Sequence, residues 1–83
     1  MFFVYVLQSE STKHFYTGST SNLSLRLSQH NSGETKSTKN RGPWKLVHRE
    51  EFATRSEAMR RESFLKSGKG RDQLSALLKK QLP

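Results

Sequence analysis

The chain has no cysteine, which excludes a disulfide scaffold and thiolate-based redox or metal chemistry. It has no apolar run near the roughly 18–20 residues that a membrane-spanning helix needs. Residues 1–7 are apolar, but no basic segment precedes them and no small-residue cleavage site follows, so they do not read as a signal peptide. An intracellular, cytoplasmic protein without membrane association is the expectation. Acidic residues are also scarce. Seven Asp and Glu stand against fifteen Lys and Arg, giving a net charge of +8 and a pI near 10.3. Such an excess favours a polyanionic partner, with nucleic acid ahead of an anionic membrane surface. Hydrophobic residues make up only 31% of 83. Nearly every one is therefore needed for a core, and a chain this short is expected to form one domain over residues 1–83.

The positive charge is unevenly placed. Lys36, Lys39, Arg41, Lys45 and Arg49 form a run with no acid inside it. Arg55, Arg60, Arg61, Lys66, Lys69 and Arg71 form another, diluted by Glu57 and Glu62. Lys36, Lys39, Arg41, Lys45, Arg55, Lys66 and Lys69 are the candidate contacts to a phosphate backbone; the alternative is a solvated surface that keeps a small protein soluble.

Aromatic and β-branched residues predict a strand over residues 2–7 and a second over 14–18, joined by the polar stretch 8–13 as a hairpin. With residues 9–12 as the loop, Gln8 pairs with Lys13 and Tyr5 falls opposite Tyr16, so the two phenols share a face. A helix over about 22–30 follows, capped by Thr20 or Ser21, with Leu23 and Leu27 as its buried stripe and Arg26 and His30 on the adjoining edge. Asn31-Ser32-Gly33 stops it, 34–43 reads as a loop, and 44–52 reads as a third strand in which Trp44, Leu46 and His48 alternate. Thr54-Arg55-Ser56-Glu57 matches a capping box, with Glu57 reaching back to the Thr54 backbone. The helix it opens runs to about Ser67 and is ended by Gly68 and Gly70. A last helix over about 71–80 carries Leu74, Leu77 and Leu78. The order β-β-α-β-α-α implies an α+β fold, a small three-stranded antiparallel sheet flanked by helices.

Within this frame Glu62 stands out. A helical wheel places it among Ala58, Met59 and Leu65 on the inward face. A carboxylate there is either paired, with Arg26 or another base, or holds a metal ion. Glu57 is accounted for by its cap. Tyr5, Tyr16, Arg26 and His30 each have an ordinary structural explanation when taken singly. Together with an inward glutamate in a basic domain, they suit phosphodiester hydrolysis. That reaction needs a base for water, a cation for the charge that develops on phosphorus oxygens, and a carboxylate for a metal.

At these residues the sequence resembles the GIY-YIG nuclease superfamily, in particular its small stand-alone members related to the N-terminal nuclease domain of the excision-repair protein UvrC. Phe3-Val4-Tyr5 stands where that family has Gly-Ile/Val-Tyr, and Tyr16-Thr17-Gly18 where it has Tyr-Ile/Val-Gly. Similar again are Gly18-Ser19-Thr20-Ser21-Asn22-Leu23, Arg26-Leu27, His30-Asn31-Ser32-Gly33, Lys36-Ser37-Thr38, the stretch from Gly42 to Val47, Arg55-Ser56-Glu57-Ala58, and Glu62 with Phe64-Leu65-Lys66-Ser67-Gly68. The likeness spans about residues 3–70 and rests on the ordered series. It implies the GIY-YIG nuclease fold and a metal-dependent DNA endonuclease, with DNA repair as its setting. Glu62 would bind one divalent cation, Mg²⁺ or Mn²⁺, and Arg26 would contact the scissile phosphate. Tyr5 or Tyr16, with Tyr5 favoured, would activate water, and His30 would assist proton transfer or orient a phenol. A tyrosine with a pKa of about 10 is a poor base at neutral pH, so Arg26, the metal and His30 would have to favour its phenolate. The sequence departs from the family at Phe3 for glycine, at Thr17 for an apolar residue, and at Ser19 where many relatives carry a base. The late asparagine of the UvrC-type domain has no clear counterpart near Asp72.

No recognition helix for the major groove is evident, so phosphate contacts should dominate and specificity should be low. Single-stranded or distorted DNA is then the expected substrate. Trp44 beside Lys45 either stacks on an unpaired base or plugs the core, with the core favoured. Two other readings stay open: a nucleic-acid-binding module on the same scaffold without catalysis, for which RNA is also a possible ligand, and an accessory subunit whose basic face binds an acidic protein.

Overall fold

A computed structural model describes residues 1–81; residues 82 and 83, the end of the expected domain, lie outside the described residues. The strands are β1 (Phe2–Ser9), β2 (Phe15–Thr20) and β3 (Trp44–Phe52), and the helices are α1 (Leu23–Ser32), α2 (Arg55–Lys66) and α3 (Gly68–Gln81). All strand pairings are antiparallel, in the order β2-β1-β3. This is the expected α+β class and element order. The central strand β1 is covered on both faces, which is why it reads as a nearly continuous apolar run rather than an alternating one. Val4 and Val6 face Ala58, Leu65 and Leu74 of α2 and α3. Tyr5 and Leu7 point the other way, into a cluster with Trp44 and the partly buried Tyr16, Leu23 and Leu27.

The hairpin register differs from expectation. Tyr5 lies opposite Gly18, and Tyr16 opposite Leu7. Ser9 stays in the strand because it is anchored there. Its N–H donates to the His14 carbonyl at 2.9 Å, its hydroxyl accepts from the Thr12 N–H at 3.0 Å, and it also donates to the Arg41 carbonyl. The loop therefore begins one residue later, at Glu10, and closes through Lys13 in the left-handed region with φ 67. Moving a loop by one residue shifts the pairing by two, and an even shift keeps every side chain on its face. The two phenols thus remain on one side of the sheet, diagonal rather than opposite.

Other boundaries moved for local reasons. The cap of α1 is Asn22, whose side chain accepts from the Leu25 N–H at 3.1 Å, rather than Thr20 or Ser21. Those residues are spent extending β2 and turning the chain. The loop after α1 contains a 3₁₀ turn, Lys36–Thr38. A bulge in β3 sets His48 opposite Val6 but Leu46 opposite Leu7. The alternation Trp44, Leu46, His48 breaks at Val47, which packs under the Val4 side of the sheet. Thr54 caps α2 as expected, but the Glu57 carboxylate accepts from the Thr54 hydroxyl at 2.9 Å rather than from its backbone. Met59 is exposed, because the packed stripe of α2 runs through Ala58, Glu62 and Leu65, and Met59 lies about 100° around from Ala58.

Trp44 is 5% exposed and belongs to the core. Its indole N–H donates to the Thr38 carbonyl at 3.0 Å. The Asn31 side chain clasps its backbone, accepting from its N–H at 2.7 Å and donating to its carbonyl at 3.0 Å. These bonds hold the loop that carries Thr38 against α1.

Gly68 and Gly70 do not end α2 in the expected way. The turn is made at Ser67, α3 begins at once with Gly68, and Gly70 lies inside its first turn. A Cβ on Gly70 would sit 1.7 Å from the Phe64 carbonyl oxygen, whereas one on Gly68 would meet nothing within 4 Å. Gly70→Ala should therefore force α2 and α3 apart and cost about 2–3 kcal/mol. Gly68→Ala should change stability by less than about 1 kcal/mol. Urea denaturation of the two variants tests this, and equal midpoints would contradict the packing described.

Candidate active site

The face of the sheet that carries Tyr5 and packs against Leu23 and Leu27 of α1 is built around one close approach. A Cβ at Gly18 would lie 2.5 Å from the Tyr5 hydroxyl and 2.7 Å from Cζ. Only glycine lets the Tyr5 ring lie on the edge strand. The ring is 1% exposed, and its centroid stands 6.3 Å from that of Tyr16. The Tyr16 ring in turn packs 4.8 Å from the His30 imidazole.

α1 supplies the polar partners. Arg26 and His30, four residues apart, share one edge of the helix. Arg26 Nε donates to the Tyr5 hydroxyl at 3.4 Å. His30 Nε2 is 2.9 Å from that same oxygen, and its Nδ1 is 2.8 Å from Thr38 Oγ1. The Thr38 hydroxyl donates to the Thr35 carbonyl at 3.4 Å, so toward His30 it accepts. The network thus assigns the imidazole proton to Nδ1 and leaves Nε2 to accept from the Tyr5 O–H. Burial, with the Arg26 charge adding to it, pushes the His30 pKa down to about 4. Burial likewise raises the Tyr5 pKa; the hydrogen bond from Arg26 opposes this, and the charges of Tyr16 and Glu62 add to it. The hydrogen bond to Tyr5 raises the Arg26 pKa against the effect of burial. At neutral pH the site holds a neutral phenol donating to a neutral imidazole, with a fixed cation beside both.

Glu62 enters from elsewhere. Its Oε1 accepts from the Ser19 hydroxyl at 2.6 Å, and its Oε2 is paired with Lys66 Nζ at 2.7 Å. Ser19 lies opposite Val4, so it points to the face away from the phenols. The ion-pair partner is Lys66 rather than Arg26. Burial pushes the Glu62 carboxyl up, but Lys66 and Ser19 outweigh it and hold the group below the usual carboxylate range. The sequence expectation thus divides. Tyr5, Tyr16, Arg26 and His30 form one contiguous cluster, and Glu62 is bonded on the other face of the strand, to Ser19. No group of three or more His, Asp or Glu that could hold a metal occurs among the described residues. The donor set is one partly exposed carboxylate, which fits Mg²⁺ or Mn²⁺ only where water and substrate phosphate complete the shell.

Two clefts meet β2 from its two ends. The larger, about 650 Å³, is lined by Phe15, Tyr16 and Thr17 of the strand, with Lys13, Arg41, Lys66 and Arg71 among its cations. The smaller, about 320 Å³, is lined by Ser19 and Thr20 of the strand, with Arg26 and Gln29 of α1 and Arg55 of α2. Of the basic residues singled out from sequence, Arg41, Lys66 and Arg55 line these clefts, while Lys36, Lys39, Lys45 and Lys69 are exposed and line neither. Sequence reasoning did not single out Lys13, or Thr38 as the partner of His30, or Ser19 as the partner of Glu62. Thr38 and Ser19 are joined to their partners only by long-range packing and carry no local signal.

Comparison with known proteins gives the family and the fold. Residues 1–74 match the family model of the GIY-YIG catalytic domain. The chain is similar to a UPF0213 protein of Staphylococcus haemolyticus, 42% identical over 66 residues that cover 78% of this chain and 79% of that one. A UPF0213 protein of Natronomonas pharaonis is 46% identical over 66 residues, covering 78% and 76%. The fold is similar to the solution NMR structure of a UPF0213 protein from Bacillus halodurans, with 37% identity and a TM-score of 0.56, covering 93% of this chain and 85% of that one.

The buried neutral imidazole has a consequence for stability. Its folded pKa of about 4 lies below its ordinary value of 6.5, so between these values the unfolded chain binds a proton that the folded chain does not. Stability should be full above about pH 6.5 and fall as the pH drops toward 4, by about 3 kcal/mol. Denaturation of wild type and His30→Gln across this range checks it. The variant should show the shallower slope, and identical slopes would refute the assignment.

Proposed function

The chain belongs to the GIY-YIG family of nuclease domains, and from that premise we propose that it is an endonuclease hydrolysing phosphodiester bonds in DNA with one divalent cation, Mg²⁺ or Mn²⁺. The observation that carries this reading is the Tyr5 hydroxyl held between the Arg26 guanidinium and the accepting nitrogen of His30. In the reaction the Tyr5 oxygen takes a proton from the attacking water while its own proton passes to His30 Nε2. Tyr5 never has to exist as a free phenolate, which its raised pKa disfavours. Arg26 neutralises charge developing on the phosphate oxygens. A phosphate seated against Arg26 also cancels the charge that helps hold the His30 pKa down, so substrate binding makes His30 a better acceptor. Tyr5 is the better base of the two phenols because it is the one bonded to an acceptor. Glu62 would hold the cation, with Lys66 released from it. The chemistry the cation contributes when bound is Lewis-acid polarisation of a phosphoryl oxygen.

The substrate is single-stranded or distorted DNA read mainly through phosphate contacts, with low sequence specificity. The +8 charge supports a polyanionic ligand, and the clefts beside the site are lined by Lys13, Arg41 and Arg71 and by Arg26 and Arg55. RNA is the alternative ligand if the scaffold binds without cutting, a reading favoured by Lys66 occupying one Glu62 oxygen.

Labelled single-stranded and duplex DNA incubated with Mg²⁺, Mn²⁺ or chelator decides between them. Metal-dependent cutting should be abolished in Glu62→Gln and reduced by about 10²–10³ in Tyr5→Phe and in Arg26→Ala. Binding without cutting under every metal condition would leave the non-catalytic module as the correct reading.

A further inference from the structure

The two clefts differ in chemistry as well as position. β2, six residues and about 20 Å long, feeds its first half to one and its second half to the other, with Gly18 and the Tyr5 hydroxyl between them. The larger cleft combines aromatic and apolar walls with cations. Phe15 is 52% exposed there, beside Tyr16, Leu74 and Leu78, and Lys13 and Arg71 also line it. The smaller cleft has two guanidiniums, Arg26 and Arg55, with the hydroxyls of Ser19, Thr20 and Ser21 and the amide of Gln29. Its apolar residues are Phe2 and Ala58. Among the described residues the lining of the clefts includes no acid. The Glu62 carboxylate is bonded to Ser19 of the smaller and Lys66 of the larger. The remaining cations, Lys13, Arg41 and Arg71 in the larger and Arg26 and Arg55 in the smaller, favour an anionic occupant. An aromatic face flanked by cations suits a nucleobase and its phosphate, whereas paired guanidiniums with hydroxyls suit phosphate alone.

We propose that the protein grips one nucleic-acid strand asymmetrically along β2, with unpaired bases in the Phe15 cleft on one side of the scissile bond and only the phosphate backbone in the Arg26–Arg55 cleft on the other. This rests on the nuclease reading and adds to it a requirement for bases on a single side of the cut. Phe15 is then a specificity-determining residue for unpaired bases, and Arg55 is a contact to the phosphate neighbouring the one that Arg26 holds.

The test uses the full chain in chelator, with fluorescence anisotropy on labelled six-nucleotide DNAs. One DNA carries all its bases, a second lacks them in its 5′ half, and a third lacks them in its 3′ half. One of the two half-abasic DNAs should bind nearly as well as the complete one, and the other at least about fivefold more weakly. Phe15→Ala should weaken the complete DNA by a similar factor and erase the difference between the two halves. Arg55→Gln should keep that difference while lowering the salt slope of log K against log[salt] by about 0.7. Equal binding of the two half-abasic DNAs, or a difference that survives Phe15→Ala, overturns the asymmetric grip while leaving the nuclease reading intact. Failure of all three DNAs to bind in chelator while metal-dependent cutting persists overturns this inference alone, and failure to bind together with absence of cutting removes the nuclease reading as well. Preference of the Phe15 cleft for an acidic peptide over DNA, displaced by Arg71→Gln, would mark it as a protein interface instead.

Discussion

The site depends on the contact between the Tyr5 ring and the bare backbone of Gly18. That contact lets a full tyrosine lie flat on an edge strand with its hydroxyl brought to the middle of β2. The hydroxyl's other neighbours follow from it. α1 crosses the same face, and a four-residue spacing presents Arg26 and His30 to one oxygen. Any side chain at position 18 would displace the phenol from both. Glu62 is held on the opposite face by Ser19, the residue next to this glycine.

A small basic protein with few hydrophobic residues has little energy to spend on burying polar groups. It nevertheless buries His30 and Thr38 and ties them to one another. This is tolerable because each has a partner: the imidazole proton goes to Thr38, the Thr38 proton to a carbonyl, and the free nitrogen accepts from Tyr5. A chain of satisfied groups costs little, whereas one broken link leaves an orphan in a low-dielectric setting. The loop that brings Thr38 has only the 3₁₀ turn Lys36–Thr38 as regular structure. It is clamped by Asn31 and by the indole of Trp44, so the most buried aromatic outside β1 also serves the site from behind. Elsewhere, Glu50 on the opposite face is gripped by Arg61 and His48. This is a structural ion pair, and it consumes an acid that would otherwise weaken the positive field.

Much of the fold was legible because it rests on local chemistry. The Thr54–Glu57 box at the start of α2 and the glycine stop of α1 each reflect interactions within a few residues. Local pattern misleads where a distant group intervenes. Composition places Ser9 in the loop, but the Arg41 carbonyl holds it in the strand. Gly70 has the composition of a helix stop, but a carbonyl of α2 occupies the space its side chain would need. The helical wheel turns Met59 inward, but it is exposed, and the stripe that packs runs through Ala58 and Leu65.

Composition, periodicity and spacing by themselves determined the element order, the sheet face shared by the two tyrosines, and the helix edge shared by Arg26 and His30, because strand and helix periods act over two to four residues. Only the tertiary structure decided that Tyr5 meets His30 and Arg26 at one oxygen, that Thr38 sets the imidazole tautomer, and that Glu62 is held by Ser19 and Lys66. Those pairings join residues between 8 and 43 positions apart, apart from the Lys66 pair. They depend on the hairpin register and on how each helix packs against the sheet, which no local pattern records.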